Sequence, residues 1–380
     1  MTSPRVLHVF KYFRPQFTGE GVFVERLAPV FAQLRPDVRH DVLVTGTPRP
    51  AADEPAPPGL GKVHYLARSA SGASQPQIVA WLGRHARRYD VVHHHTHVDR
   101  TFLGALLLKL QGCRLVLSAT LDDSVAGLMA TYRPAFRPLV RRLFGLIDIF
   151  VAISPKLFDE TSRLVALHKC RRVSMGIPMP GEAERPRRWV RESLGAPRNA
   201  TILVAVGGIC ARKDQLFLVQ QLPGLVLRRP DLLLMLVGPV VEAEHLRQIE
   251  AFVAEHGLER HVRIVGQAPP WDFYRAADIF VFASHEEGFG TVMIEAMAYG
   301  LPVVARHLPG VNDSFIRHGR TGLLFADADE FNAHLDGLLR NPAAGRRLGA
   351  CARRSVRGGF DISGAAAKYL ALYGYPARSP

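Results

Sequence analysis

Short runs of β-branched and apolar residues recur along the chain, each followed by a longer stretch whose apolar positions fall at helical spacing. In the first half the runs are residues 6–10, 42–44, 91–93, 115–117 and 149–153, which read as buried parallel strands. The pattern stops at residues 178–188, rich in proline and charge, and restarts with runs at 202–206, 232–237, 262–265, 279–282 and 303–305. A repeated strand–helix unit of this kind predicts an α/β architecture with two doubly wound, Rossmann-like sheets. The expected division is residues 1–180, residues 181–360, and a last amphipathic segment in 361–380 that closes the second domain or packs back on the first. In such sheets ligands bind beyond the carboxyl ends of the strands, so the informative residues are those that follow strands.

A length of 380 residues agrees with two domains, and 48% hydrophobic with 22% charged residues is an ordinary globular composition. The four cysteines, Cys113, Cys170, Cys210 and Cys351, are scattered without the spacing of a zinc site or a disulfide framework, and reduced thiols in the cytoplasm are expected. No stretch has the layout of a signal peptide or the roughly 20 apolar residues of a spanning helix. The excess of 48 Lys and Arg over 34 acidic residues gives +14, a surface that attracts anions: nucleotides, acidic glycans or anionic lipid headgroups. Much of the excess is arginine on solvated helix faces.

After the run 279–282 comes Ser284-His285-Glu286-Glu287-Gly288-Phe289-Gly290, followed by a helical stretch from Thr291 to Ala298. Strand, glycine loop and helix start together form an anion cradle: glycine lets backbone approach a ligand, and the helix start presents N–H groups and a positive dipole end. A second carboxylate, Glu295, lies about one turn into that helix. Helical side chains lean towards the N-terminus, so Glu295 reaches the same place as Glu287, and a carboxylate suits a vicinal diol of a ribose or sugar ring.

The segment Glu287-Gly288-Phe289-Gly290 to Glu295-Ala296-Met297-Ala298 resembles the signature of the retaining GT-B glycosyltransferases of family four, the group 1 glycosyl transferases. The resemblance extends to Tyr12-Phe13-Arg14-Pro15 with Gly19, Asp90-Val91-Val92-His93, Ala152-Ile153-Ser154, Val237-Gly238, Ala276-Ala277-Asp278-Ile279 and residues 319–324. It implies two Rossmann-like domains facing each other across a cleft, an N-terminal acceptor-side domain and a C-terminal nucleotide-sugar donor domain. It also implies that Glu287 lies beside the donor sugar, that Glu295 binds the ribose, and that the backbone of Gly288, Phe289, Gly290 and Thr291 holds sugar and phosphates.

The run 202–206 ends in Gly207-Gly208-Ile209-Cys210-Ala211-Arg212-Lys213-Asp214, a strand-to-loop position with clustered cations. Positive groups aimed at a departing diphosphate stabilise the transition state. Lys213 matches the lysine of the family, whereas Gly208 stands where the family has an arginine; Arg212 either substitutes or is a solvated loop arginine. In the first half, Gly19 is expected near phosphate or acceptor. The family's histidine after the run 115–117 is missing from Ser118-Ala119-Thr120-Leu121-Asp122-Asp123; Asp122 or Asp123 takes an acceptor-side role, general base included, or caps a helix.

His93-His94-His95-Thr96-His97 invites a metal reading. Adjacent histidines on a strand alternate in direction and no thiol or carboxylate partner is evident, so no metal is expected and His95 is assigned to the acceptor side of the cleft. Asp327-Ala328-Asp329 reads as a helix cap rather than a metal motif. The resulting expectation is a retaining, metal-independent glycosyltransferase that needs no cofactor beyond a nucleotide-diphosphate sugar as co-substrate. A glycan or lipid-linked acceptor, exopolysaccharide assembly and a cytoplasmic location complete it. Contact with the inner membrane face through residues 132–144 is compatible with that activity, and specific nucleic-acid binding is not expected. The rival readings are a sugar-nucleotide epimerase on the same architecture and a catalytically vestigial protein that binds anions or membrane.

Overall fold

The computed structural model describes residues 3–16, 18–50, 55–69, 71–121, 124–181 and 186–377. The chain divides into two compact units, residues 1–178 with 360–380 and residues 179–359.

The first unit is built on seven parallel strands: β1 (Arg5–Phe10), β2 (Arg39–Pro48), β3 (Val63–Ala67), β4 (Val91–His94), β5 (Arg114–Ala119), β6 (Ile149–Ala152) and β7 (Cys170–Arg172). They lie in the order β3-β2-β1-β4-β5-β6-β7, so the direction of winding reverses between β1 and β4. The inner strands are largely buried because helices cover both faces; Leu7, Val9, Leu43, Val92, Leu115 and Leu117 pack under the helices Gln75–His85 and Leu103–Leu110. The second unit carries β8 (Thr201–Val206), β9 (Leu232–Val237), β10 (Val262–Gly266), β11 (Ile279–Phe282), β12 (Val303–Arg306) and β13 (Leu323–Phe325), ordered β10-β9-β8-β11-β12-β13. The two sheets are doubly wound, as the strand–helix repeat predicts.

The sequence leaves open where the last helix packs. It is Ile362–Tyr373, capped by Asp361, and it belongs to the first unit: Tyr369 meets Phe23 of the helix Gly19–Leu34 at 6.0 Å between ring centroids. Two backbone bonds anchor its start, Ile177 N–H to Phe360 C=O at 2.8 Å and Ile362 N–H to Ile177 C=O at 3.0 Å. The last turn is held by Arg114, which donates to the Leu372 carbonyl at 3.0 Å. Among the described residues no helix is long and apolar enough to cross a membrane.

Candidate functional site

In the second unit, two loops leave neighbouring parallel strands at their carboxyl ends. One follows β8 and contains Gly207 to Asp214; the other follows β11 and contains Ala283 to Gly290. Direct bonds hold them together. The Arg212 carbonyl accepts from His285 N–H at 2.9 Å and from the Ser284 hydroxyl at 3.1 Å. Arg306, from the end of β12, donates to Asp214 at 2.8 Å and to the Ala283 carbonyl at 2.8 Å.

Within this frame Lys213 Nζ donates to Glu287 Oε1, and Arg212 Nη1 lies 3.8 Å from Glu287 Oε2 while donating to the Glu286 carbonyl at 3.0 Å. Both cations of the first loop thus converge on the carboxylate of the second. Glu287 is 8% exposed, so its charge would be costly without these partners. The Lys213 ammonium also lies over the Phe282 ring, 5.6 Å from its centroid. The position where the family carries an arginine, Gly208, has little room: a Cβ there would stand 2.7 Å from Val241 Cγ2. Four residues further on, Arg212 places a guanidinium 3.8 Å from the same carboxylate.

The helix Thr291–Ala298 begins directly after the glycine loop, so its positive end faces residues 287–290. Gly290 has φ +84°, a left-handed conformation that favours glycine, and any Cβ there would fall 2.2 Å from Met293 Cε. The Phe289 side chain turns away into the core against Phe315, at 5.6 Å, leaving only its backbone to serve a ligand. Glu295 is 3% exposed and accepts from the Tyr274 hydroxyl at 2.8 Å. Sequence reasoning missed Tyr274, Asp214 and Arg306. Asp214 could have been found, because an Asp ahead of the apolar run Gln215–Gln220 is a helix-cap signal, and its side chain accepts from Phe217 N–H at 3.3 Å. Tyr274 and Arg306 carry no local signal.

In the first unit Gly19 opens the helix Gly19–Leu34, capped by Thr18, and a Cβ on Gly19 would meet nothing within 4 Å. Asp122 lies outside the described residues. His95, expected on the acceptor side, is instead buried at 3%: its ring stacks on Phe10 at 4.5 Å and its Nε2 is 3.0 Å from His8 Nδ1. The reason is that the chain stays paired with β1 one residue beyond β4, His95 N–H donating to the Val9 carbonyl at 2.9 Å. The partner that the histidine run finds is neither a thiol nor a carboxylate but another histidine. His8 of β1 joins His93 and His95, with one nitrogen of each within 4.8 Å of the others, an arrangement able to hold a metal ion. These rings also have neighbours of their own: His8 pairs with His40 at 3.0 Å, and His93 with Tyr373 at 2.7 Å and Ser118 at 2.9 Å. Burial pushes His8, His93 and His95 well below the ordinary histidine value, His40 to about 4 and His94 to about 3, so all are neutral at pH 7. Asp327 caps the helix Ala328–Arg340 by accepting from Glu330 N–H at 2.9 Å.

Two family models match the chain, Glycosyltransferase Family 4 over residues 17–179 and Glycosyl transferases group 1 over residues 187–355. A D-inositol 3-phosphate glycosyltransferase of Streptomyces coelicolor is 28% identical over 391 residues, covering 91% of this chain and 85% of its own. Among solved structures, sucrose-phosphate synthase from Thermosynechococcus elongatus superposes with a TM-score of 0.79 at 24% identity, over 98% of each chain. Anabaena HepE, solved in complex with UDP and glucose, superposes at 0.78 with 18% identity, over 98% of this chain and 99% of its own. With one model on each half and such relatives spanning nearly all of its length, the chain belongs to the group 1, family four glycosyltransferases of the GT-B fold.

Proposed function

We propose that the protein transfers a sugar from a nucleotide-diphosphate sugar to an acceptor hydroxyl with retention of anomeric configuration and without a metal ion. The observation that carries this is the convergence of Lys213 and Arg212 on Glu287 beside a helix N-terminus. In the free protein the cations neutralise a buried carboxylate; with donor bound they face the diphosphate, and the charge that develops on the leaving group meets fixed positive groups. Glu295, held by Tyr274, is set to accept from the ribose diol. The bond from the anomeric carbon to the diphosphate oxygen breaks, the acceptor oxygen bonds to that carbon on the same face, and the acceptor proton passes to the departing diphosphate. Lys213 and Arg212 take the charge-neutralising role that a metal fills elsewhere, and Asp327 is engaged as a helix cap.

HepE was solved with UDP and glucose, which supports a uridine diphosphate sugar as the first donor to try. For the acceptor, the first unit offers an apolar and basic surface suited to a lipid-linked glycan. Leu103, Leu106 and Leu110 of one helix and Phe136 and Leu139 of the neighbouring segment are exposed, among Arg133, Arg137 and Arg142. The Tyr132 hydroxyl ties the two segments by donating to the Arg100 carbonyl at 2.9 Å. This face is set for peripheral contact with an anionic bilayer.

The decisive experiment is calorimetric titration with uridine, guanosine, thymidine and adenosine diphosphates in EDTA, followed by product analysis with a lipid extract, glycans and D-inositol 3-phosphate as acceptors. One nucleotide class binding to wild type and not to Lys213→Ala, with label appearing in an acceptor, is the expected result. Release of a new sugar nucleotide without acceptor would mean epimerisation, and failure of every nucleotide to bind would overturn the reading.

A further inference from the structure

At the amino-terminal ends of the second sheet's strands, where β8, β11 and β12 begin, lies a cavity of about 610 Å³ formed wholly by the second unit. That volume suits a small-molecule ligand. Five arginines line it. Arg187 is held by Asp278 at 2.6 Å and Arg229 by Asp231 at 3.1 Å, but among the described residues Arg275, Arg346 and Arg353 make no ion pair. The Nε–H of Arg353 is buried with no acceptor, and the Arg275 guanidinium sits 5.9 Å above the Tyr299 ring. Between these charges stand the apolar Leu338 and Pro302 together with Thr201 and Asp278, whose carboxylate is taken up by Arg187 and Arg191 at 2.6 and 2.7 Å. Unpaired guanidinium groups are forks for phosphate oxygens, and aromatic and aliphatic walls take a ring.

We propose that this cavity is a second binding site, for a small phosphate ester with a ring or other apolar body, and that its occupancy acts on the donor site. The route is short. Tyr299 lines the cavity, its ring lies 5.4 Å from that of Tyr274, and Tyr274 donates to Glu295. A ligand that stacks on Tyr299 alters the packing of Tyr274 and hence the hold on Glu295. The coupling, though not the site, rests on the donor reading above.

Phenyl phosphate serves as probe, with inorganic phosphate as the control lacking an apolar body, titrated calorimetrically into full-length wild type, Lys213→Ala, Arg346→Glu and Arg353→Ala. Arg346 is exposed, so its charge reversal leaves folding intact, which thermal melting checks. Phenyl phosphate is expected to bind wild type and Lys213→Ala within twofold of each other, to weaken at least tenfold in Arg346→Glu and Arg353→Ala, and to outbind inorganic phosphate. Loss of binding in Lys213→Ala with full binding in Arg346→Glu would place the anion at the donor loops and overturn the site, as would no saturable binding to wild type. For the coupling, saturating phenyl phosphate is expected to change UDP affinity about fivefold in wild type and not in Tyr274→Phe. An unchanged UDP affinity in wild type would overturn it. If UDP fails to bind at all, the donor reading fails while the phenyl phosphate result stands on its own.

Discussion

Lys213 and Glu287, 74 positions apart in the chain, share a proton-mediated contact at the mouth of two loops that leave adjacent strands. On the donor reading proposed above, the same lysine would exchange this carboxylate for the donor's diphosphate.

Removing either group therefore has separable effects. Lys213→Ala is expected to lower kcat by about 10²–10³, as for the loss of one preorganised charge-stabilising donor. It should destabilise the second unit by only about 1–3 kcal/mol, because Arg212 remains near the buried carboxylate. Glu287→Ala is expected to abolish transfer while keeping the fold, measured by turnover beside the melting temperature. Full activity in Glu287→Ala would remove the catalytic assignment.

Tyr274→Phe deletes a hydroxyl that reaches buried Glu295 and leaves the ring in place. The loss of one hydrogen bond to a buried charged group is expected to cost about 1.5–3 kcal/mol and to raise the donor KM about tenfold, with a smaller effect on kcat. An equal fall in kcat with unchanged KM would show that Glu295 acts on the chemistry rather than on the nucleotide.

Arg306 is expected to matter for stability beyond its charge. It joins Asp214 to the Ala283 carbonyl and packs its guanidinium 4.7 Å over Phe217 and 5.4 Å over Phe325. Arg306→Ala should cost about 2–4 kcal/mol through the lost packing and the loss of the arginine partner of Asp214, which keeps His285 at 2.9 Å and the Phe217 N–H, read from denaturant unfolding, whereas Arg306→Lys should recover part of it.

The buried histidines set an acid limit on the first unit. Their folded values are depressed below the unfolded value near 6.5, His40 and His97 to about 4. Between these limits the unfolded chain binds protons that the folded chain refuses. Stability is thus full above pH ~6.5 and falls as pH drops towards about 4, by roughly 1.4 kcal/mol per pH unit for each such histidine. Unfolding free energies at pH 7, 6 and 5 check this; a flat profile would mean that the cluster is already protonated or solvated. Titration with zinc at pH 7 tests the His8, His93, His95 group separately.

The central strands of both sheets were legible in the sequence because they are buried on both faces and read as mainly apolar runs, broken in the first sheet by histidines such as His8 and His93. The strands it missed, β3, β7 and β13, all lie at sheet edges. An edge strand has one neighbour and an open side, so β7 carries Arg171 and Arg172, both exposed, and has no apolar period to detect. The site divides in the same way. Glu287, Gly290 and Glu295 sit in one contiguous segment and declare themselves by spacing. Tyr274 meets Glu295, and His8 meets His95, only after the chain has folded, since 20 and 86 residues of sequence lie between them. Arg212 shows the intermediate case: its proximity to Glu287 follows from strand adjacency, which the sequence suggests, but its direction depends on the turn that brings the Glu286 carbonyl within reach.

The return of the last helix to the first unit has a consequence for how the protein is made. Tyr369 and Tyr373, which close over Phe23 and cap His93, emerge from the ribosome only after the whole of residues 179–359. At about 5–20 residues per second, the first unit waits roughly 10–40 seconds with His93 lacking its tyrosine partner and the apolar face of the helix Gly19–Leu34 uncovered. The nascent chain is therefore open on one flank while its downstream half is built, and the first unit, though started first, is completed last.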